Sequence, residues 1–523
     1  MEFANLGIKT SPNLPFTLLL VFTIILILLA HLAICEEQEM GSETIDFILP
    51  KVLDLETAQK IALRENPSIR AIEHRIEQAK QRVKQAVANY YPQLMASYSA
   101  SHLDFSDARV QSAKDSIWNQ SSQMISQSIS RGITSYGGST TGIEALIGGI
   151  PWDTIISNWI STYLATKEVP EYQNNYTLSF MLRYTLFDGF SRKYTVKLAK
   201  LSEVSVEEAK KESIRQLLYA VANSYYAVHL AEENLKIAEA DKAFNERLLY
   251  EAKAKYEKGA GSLSDILNFE VRLRSASAQI INSQQNREIA RISLGEVMGL
   301  SDGRLPDQVS LAPLPDNIES EIEQNLNVDD LLSFALTNRP DLKVANLSVS
   351  QAEARVGQSK STLYPQIGVS VSRTATREVD SEFRSDDFST NIGLDVSYTL
   401  FAGGKYKAMR AEARASLREA EENYNLTRIG VISEVYTAYQ ELKSALEQLK
   451  LQKETAEYVR KNRDLVEKEF IAGQAPLVRL NEAQRDLVDA EVRLASARVG
   501  LLRALYHLKT ATAKSLFDFD QNN

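Results

Sequence analysis

The chain has 523 residues, 24% of them charged, with a formal net charge of −9 and a single cysteine, Cys35. An acidic balance with no basic face speaks against nucleic-acid binding, and one thiol excludes a disulfide or a cysteine metal centre in everything after residue 35. Glycine (22) and proline (13) are sparse for this length, so long uninterrupted elements are allowed.

The first element is an apolar leader. No charge occurs between Lys9 and Glu36, and FTLLLVFTIILILLA (Phe16–Ala30) is apolar or hydroxylic throughout. Ala33-Ile34-Cys35 presents small residues at −3 and −1 for secretory cleavage. Cys35 is alternatively a lipid-bearing residue, although Ile34 is bulky for the position before it. The run is also long enough for an uncleaved anchor. All three readings export the rest of the chain.

A helical run from about Leu55 to Tyr90 ends at Tyr91-Pro92, because the residue before proline avoids the α region. Beyond it Leu94, Ala96, Tyr98 and Ala100 alternate with Met95, Ser97, Ser99 and Ser101, a strand period. A second strand alternates Tyr176, Leu178, Phe180, Leu182, Tyr184 and Leu186 against polar partners. From Phe190 to Lys258 there is neither Gly nor Pro, and at about 1.5 Å per residue this is a helix about 100 Å long. Leu217, Val221, Ser224, Val228, Ala231, Leu235 and Ala238 form a seven-residue seam whose small members let neighbouring helices approach closely. A turn at Gly259–Ser262 leads into a half-length helix, Leu263 to about Met298.

The second half repeats this order. Helix is expected over Val328–Leu363, strands around Ile367–Val371 and Ile392–Leu400, a long helix over Lys405–Ala472 interrupted only by Gly430, and a half helix from Leu477 to about Ala511. Tyr184-Thr185-Leu186-Phe187 matches Tyr398-Thr399-Leu400-Phe401 at an offset of 214 (398 − 184), which also pairs Gly189 with Gly403 and Gly259 with Gly473. Upstream, ALRENPSI (Ala62–Ile69) matches ALTNRPDL (Ala335–Leu342), and YYPQL (Tyr90–Leu94) matches LYPQI (Leu363–Ile367), at an offset of 273 (365 − 92). The first copy therefore carries 59 more residues (273 − 214) between its two strands. The expected organisation is a leader at 1–35, a linker at 36–52, a first repeat at 53–299 with the longer loop at about 106–175, a crossover at 300–327, a second repeat at 328–511 and a tail at 512–523.

Four ten-residue strands with one apolar face fit a transmembrane barrel, with a soluble half-buried sheet as the competing reading. Four strands cannot close a barrel alone, and open edges in lipid would cost several kcal/mol per unpaired backbone group. Two chains would give eight strands with a filled interior. Three would give twelve and a water-filled lumen.

The ordered pair of ALxxNPxI…YPQL segments, the joints Phe187-Asp188-Gly189-Phe190 and Phe401-Ala402-Gly403-Gly404, and the tips YEKGAGSLSDIL and FIAGQAPLVRLNEA resemble the TolC-like outer-membrane factors, from Leu53 onward. The resemblance implies a mainly α fold with a transmembrane β-barrel: a homotrimer whose four strands per chain close twelve-fold in outer-membrane lipid above a periplasmic α-helical tunnel. It implies as partners a periplasmic adaptor and an inner-membrane transporter of RND, ABC or MFS type. Tyr256, Gly259, Ala260, Gly261, Ser262 and Leu263, with Gly473, Gln474, Ala475, Pro476 and Leu477, match the adaptor-docking tips; Asp265, Arg479, Glu482 and Phe470 fall at the aperture. Arg479 and Phe470 replace an acidic residue and a tyrosine of the family pattern, so an Asp265–Arg479 contact is one expectation for the closed mouth and solvated tip residues the other.

All three tryptophans, Trp118, Trp152 and Trp159, lie between the first two strands. In PWDTIISNWISTYLATK one helical face gathers Ile155, Ile156, Trp159, Ile160, Tyr163 and Leu164, which reads as an interfacial helix, a lid, or a loop packed against its neighbours. No phosphate loop, GxSxG or HExxH appears, the five histidines are scattered, and Glu232-Glu233 lie on a charged helix face. No enzyme activity, cofactor or metal is expected. The leading function is a passive export duct, and the alternative is an exported coiled-coil adhesin or scaffold without a pore.

Overall fold

The computed structural model describes residues 49–135, 154–155, 158–159, 172–315, 327–378 and 382–521. In chain order they form β1 (Val52–Leu53), α1 (Leu55–Glu65), α2 (Pro67–Ala88), β2 (Gln93–Asp104), α3 (Asp107–Ser135), β3 (Tyr172–Phe187), α4 (Ser191–Glu257), α5 (Leu263–Met298), β4 (Ser310–Leu311), α6 (Val328–Asn338), α7 (Pro340–Ser359), β5 (Gln366–Arg377), β6 (Phe388–Ser397), α8 (Lys405–Ile471), α9 (Leu477–Ala511) and α10 (Lys514–Gln521). A small unit holds residues 49–53 together with residues 308–310. There the Ser310 N–H and hydroxyl both donate to the Lys51 carbonyl, at 3.0 and 3.1 Å. Everything else described belongs to a second unit.

That unit is built twice. Shifting α1 by 273 residues lands on α6, and shifting β2 by 273 lands on β5; shifting α4 by 214 lands on α8, each with both ends coinciding. The long helices α4 and α8 each fold back on a half-length partner, α5 and α9. The stacked pieces α1–α2 lie against α4, α6–α7 lie against α8, and α7 and α9 also pack on α4. Of the sequence seam, Leu217, Val221, Val228, Ala231, Leu235 and Ala238 are buried.

Two expected helices are divided. The run from Leu55 breaks at Asn66, which ends α1 and caps α2 by accepting the Ser68 N–H at 2.9 Å, with Pro67 in the first turn. The run from Val328 breaks likewise at Arg339-Pro340. A pre-proline residue is held extended, while proline itself suits a helix start. In the inserted segment α3 is a helix that was not among the expected elements; its sequence is rich in Ser and Gln. Trp118 lies on it. Trp152, Ile156, Ile160, Tyr163, Leu164 and the leader with Cys35 lie outside the described residues.

The four long strands form one antiparallel sheet in the order β2-β3-β5-β6. Tyr98 faces Leu178 across β2–β3, Leu182 faces Val371 across β3–β5, and Val371 faces Ile392 across β5–β6. A bulge interrupts β3 between Thr185 and Phe187. β3, paired on both sides, runs to Phe187. β6, with one neighbour, stops at Ser397, so Tyr398 and Leu400 lie beyond the strand they were expected to end.

Candidate functional site

Three features could meet a partner: the helix tips, the strand–helix joints and the sheet edges. The two tips share one backbone design. In the first, the Gly259 N–H donates to the Tyr256 carbonyl and the Ala260 N–H to the Lys255 carbonyl, both at 2.9 Å. In the second, Gly473 donates to Phe470 at 3.0 Å and Gln474 to Glu469 at 2.8 Å. This double bond pattern closes a helix C-terminus around a left-handed residue, and Gly259 (φ 73°) and Gly473 (φ 72°) supply it. Ser262 then starts α5 by accepting the Ser264 N–H at 3.0 Å, and Pro476 starts α9 with no side-chain cap.

The turns sit on an apolar plug. Phe244, Leu248, Ile266, Phe269, Val466 and Leu480 are buried together from all four helices, with Phe470 and Leu477 packed against them. Tyr256, Gly259, Ala260, Ser262, Leu263, Gly473, Gln474 and Pro476 stay exposed, Gly261 is half-buried and Ala475 is buried. Phe470 thus faces inward from its tip, with the Lys255 ammonium 5.4 Å from its ring centre.

Of the aperture residues, Glu482 and Arg479 are exposed and Asp265 is half-buried. Within one chain Arg479 pairs with Glu469, at 2.9 Å, inside the second tip. A polar layer above the plug was not anticipated. Gln484 donates to Asp241 at 2.8 Å, and Asn481 and Arg272 both donate to Asn268, at 3.3 and 3.2 Å. Burial pushes the Arg272 pKa below its ordinary value, opposed by the Asp241 charge. The signal that could have found this layer was the run of polar residues facing an otherwise apolar seam.

At the first joint Gly189 (φ 65°) is followed by Phe190 (φ 69°), a non-glycine residue in left-handed backbone. A methyl group on Gly189 would stand 2.4 Å from the Ser361 carbonyl oxygen, so only hydrogen fits. Phe187, Phe190 and Tyr364 meet edge to face with ring centres 5.4, 6.2 and 5.7 Å apart, and contacts of this kind offset the strain at Phe190. Asp188 accepts from the Arg192 N–H at 2.8 Å and side chain at 3.1 Å, tying the joint to the first turn of α4. At the second joint the corresponding residues are Gly403 and Gly404, both left-handed, with open space around them. Phe401 there is 86% exposed.

Among the described residues no cluster of His, Cys, Asp or Glu could hold a metal ion, and no helix is long and apolar enough to cross a membrane, which says nothing of strands.

One four-stranded sheet, two strands from each repeat, joined to two 67-residue helices, one per repeat, defines a class of repeat-built sheet and long-helix subunits. The profile of the outer membrane efflux protein family matches residues 158–300 and 331–514. The chain belongs to that family and is an outer-membrane protein. It is similar to the outer membrane efflux protein BepC of Brucella suis, at 22% identity over 66% of this chain and 74% of that one. It is similar to the alkaline protease secretion protein AprF of Pseudomonas aeruginosa, at 25% identity over 67% of this chain and 70% of that one. Its fold is that of the CmeC outer membrane channel of Campylobacter jejuni, with a TM-score of 0.65, 16% identity, and 90% of this chain and 89% of that chain covered.

Proposed function

We propose that three copies of this chain close their four-stranded sheets into a twelve-stranded barrel in outer-membrane lipid, continued by a helical tunnel, and that the assembly is a passive exit duct. The observation that carries the reading is the sheet itself. Among the described residues both edges, β2 and β6, have a neighbour on one side only, and Leu94, Tyr98, Ile392, Leu394 and Val396 stand exposed along them. In a hydrocarbon setting such edges must be mated, and a lumen needs more strands than two chains supply.

The exposed tips with their rigid glycine caps are the surface offered to a periplasmic adaptor, which would connect the duct to an inner-membrane transporter. Energy for transport then comes from that transporter, and no catalytic step is assigned to this chain. Among the relatives one is named for efflux and one for protease secretion, so small molecules and polypeptides both stand as cargo.

For the aperture, Asp265 and Arg479 occupy equivalent places in the two repeats and carry opposite charge. A trimer would therefore ring its mouth with alternating signs, and Glu482 adds one acidic group per chain. This favours a mixed ring over a purely acidic one. Arg479→Ala would then release Glu469 and make the mouth more acidic, raising cation selectivity; unchanged conductance and selectivity would remove these residues from gating.

The duct itself is tested in planar bilayers and on detergent gels. Stepwise conductance and heat-modifiable migration are expected. A protein that stays monodisperse and monomeric in buffer without detergent would instead support the scaffold reading.

A further inference from the structure

A trough between α4, α8 and α9 has no part in the reading above. It encloses about 820 Å³ and follows α9 from Arg493 to His507, about 20 Å at the helical rise. That volume is in the range of sites for organic ligands. Its floor is made of small residues, Ala445 from α8 and Ala497, Gly500 and Ala504 from α9. Gly500 is not there for close packing: a methyl group on it would meet nothing within 4 Å, and glycine weakens a helix interior relative to alanine. What its missing side chain provides is room. Gln440, Ser444, Gln448 and Gln452 of α8 and Ser496 of α9 line that room with neutral hydrogen-bonding groups, and Tyr219 of α4 forms another wall.

Two lining atoms are left unserved. Arg503 Nε and Gln452 Oε1 are both buried without a hydrogen-bond partner. Arg503 Nη2 donates to the Asn223 carbonyl at 3.2 Å, and among the described residues no carboxylate pairs with Arg503 or with Arg493. The one lining carboxylate, Glu441, is engaged by His507 Nδ1 at 2.8 Å. Burial accordingly pushes the Arg503 pKa below its ordinary value. A buried charge without a counter-ion is costly. The helices α8 and α9 run antiparallel with Glu441 beside His507, so Gln452, eleven residues on, stands level with Ser496. From there to Arg503 is about 10 Å along the axis.

The trough is not a by-product of the duplication. At the offset of 214, Gln452, Gly500 and Arg503 correspond to Ala238, Asn286 and Ile289, a set with neither the cation nor the room. We propose that the trough binds a hydroxylated organic anion of the size of a sugar acid, with its carboxylate on Arg503, one hydroxyl donating to Gln452 and the others on the glutamine and serine row. An inorganic anion would meet Arg503 and leave Gln452 without a donor, and a neutral sugar would do the reverse. The bound molecule touches α4 of the first repeat and α8 and α9 of the second, so occupancy ties the two repeats together. The site is complete within one chain and needs no particular assembly.

The test titrates full-length protein in detergent with galacturonate, galactose and acetate, read by calorimetry. Galacturonate should bind saturably, at least about tenfold tighter than either of the others. It should also raise the thermal midpoint, as a ligand of the folded state must. Arg503→Gln and Gly500→Leu should each weaken galacturonate at least about tenfold. Arg503→Gln should keep the thermal midpoint of the unliganded protein within about 5 °C, because an unpaired buried charge adds no stability. A larger fall would make Arg503 a structural residue and overturn its assigned role; the Gly500→Leu result, at a position facing open space, then decides the site. Galactose binding as tightly as galacturonate overturns the anion assignment, and acetate doing so overturns the hydroxyl contacts. Absence of saturation, or binding undiminished in Gly500→Leu, overturns the site.

Discussion

Replacing Arg339 by methionine should be among the most damaging single changes in the helical region. Arg339 is 3% exposed and every arm of its guanidinium is used. Nε donates to Asp341 Oδ1 at 3.0 Å and Nη2 to Asp341 Oδ2 at 2.7 Å; Nη1 donates to Glu434 Oε2 at 2.6 Å and to the Ala511 carbonyl at 2.9 Å. Burial works against the Asp341 carboxylate, yet the Arg339 hydrogen bonds and charge hold its pKa below the ordinary value. Breaking a buried pair from one side costs about 3–5 kcal/mol. The Asp341 and Glu434 side chains are 27% and 34% exposed and regain some water, which favours the lower end. The orphaned Ala511 carbonyl adds about 1–2 kcal/mol, so Arg339→Met should lose about 4 kcal/mol in all. The loss is read from thermal midpoints and denaturant curves in detergent. Hydrogen exchange gives a local signature: amides at the end of α9 should exchange faster, because the Ala511 carbonyl loses its Arg339 donor, while the Arg215 bond to the Thr510 carbonyl at 2.9 Å confines the loosening to that end. Adding Asp341→Leu should recover part of the loss, since Glu434 keeps Arg215 at 3.7 Å. A loss below about 1 kcal/mol, or a double variant no better than the single one, would refute the reasoning.

Gly189→Ala should destabilise by at least about 2 kcal/mol more than Gly259→Ala: both positions are left-handed, but only Gly189 faces a carbonyl oxygen, and equal shifts in thermal midpoint would contradict this. His229 is buried against Tyr225, and burial pushes its pKa down to about 4, opposed by Glu233. The unfolded chain therefore binds the extra proton first, and stability present above about pH 6.5 should fall by about 3 kcal/mol as pH drops to about 4. His229→Leu should flatten that slope in melts across the same range; an unchanged slope assigns it elsewhere. Asn66→Ala removes both a helix cap and the 2.8 Å bond to the Val297 carbonyl and should cost about 2 kcal/mol, against about 1 kcal/mol for Asn327→Ala, which removes the α6 cap and an exposed bond to Asp330, as paired denaturation curves would show.

The repeat was legible because duplication left matching local signals, Tyr-Pro, Tyr-Thr-Leu-Phe and the tip glycines, at constant spacing. Those signals are enforced locally, by pre-proline sterics and by left-handed caps. The contacts of Arg339 were not legible: its partners Glu434 and Ala511 lie far along the chain, and its equivalent in the first repeat is Asn66, which does a different job. The inward turn of Phe470 and the Arg479–Glu469 pair escaped for the same reason, since each depends on how two helices meet. The left-handed Phe190 did leave a trace, because Gly404 stands at its equivalent position, and a glycine facing a phenylalanine across a repeat marks a backbone that prefers no side chain.

The equal 67-residue spans of α4 and α8 bind their lengths together. Deleting one heptad from α4 alone would draw its tip back by about 10 Å while its twin stayed in place, and the tip end would become stepped. Lengthening or shortening such a molecule is therefore a concerted operation, requiring the same change in both full-length rods and in the half-rods beside them.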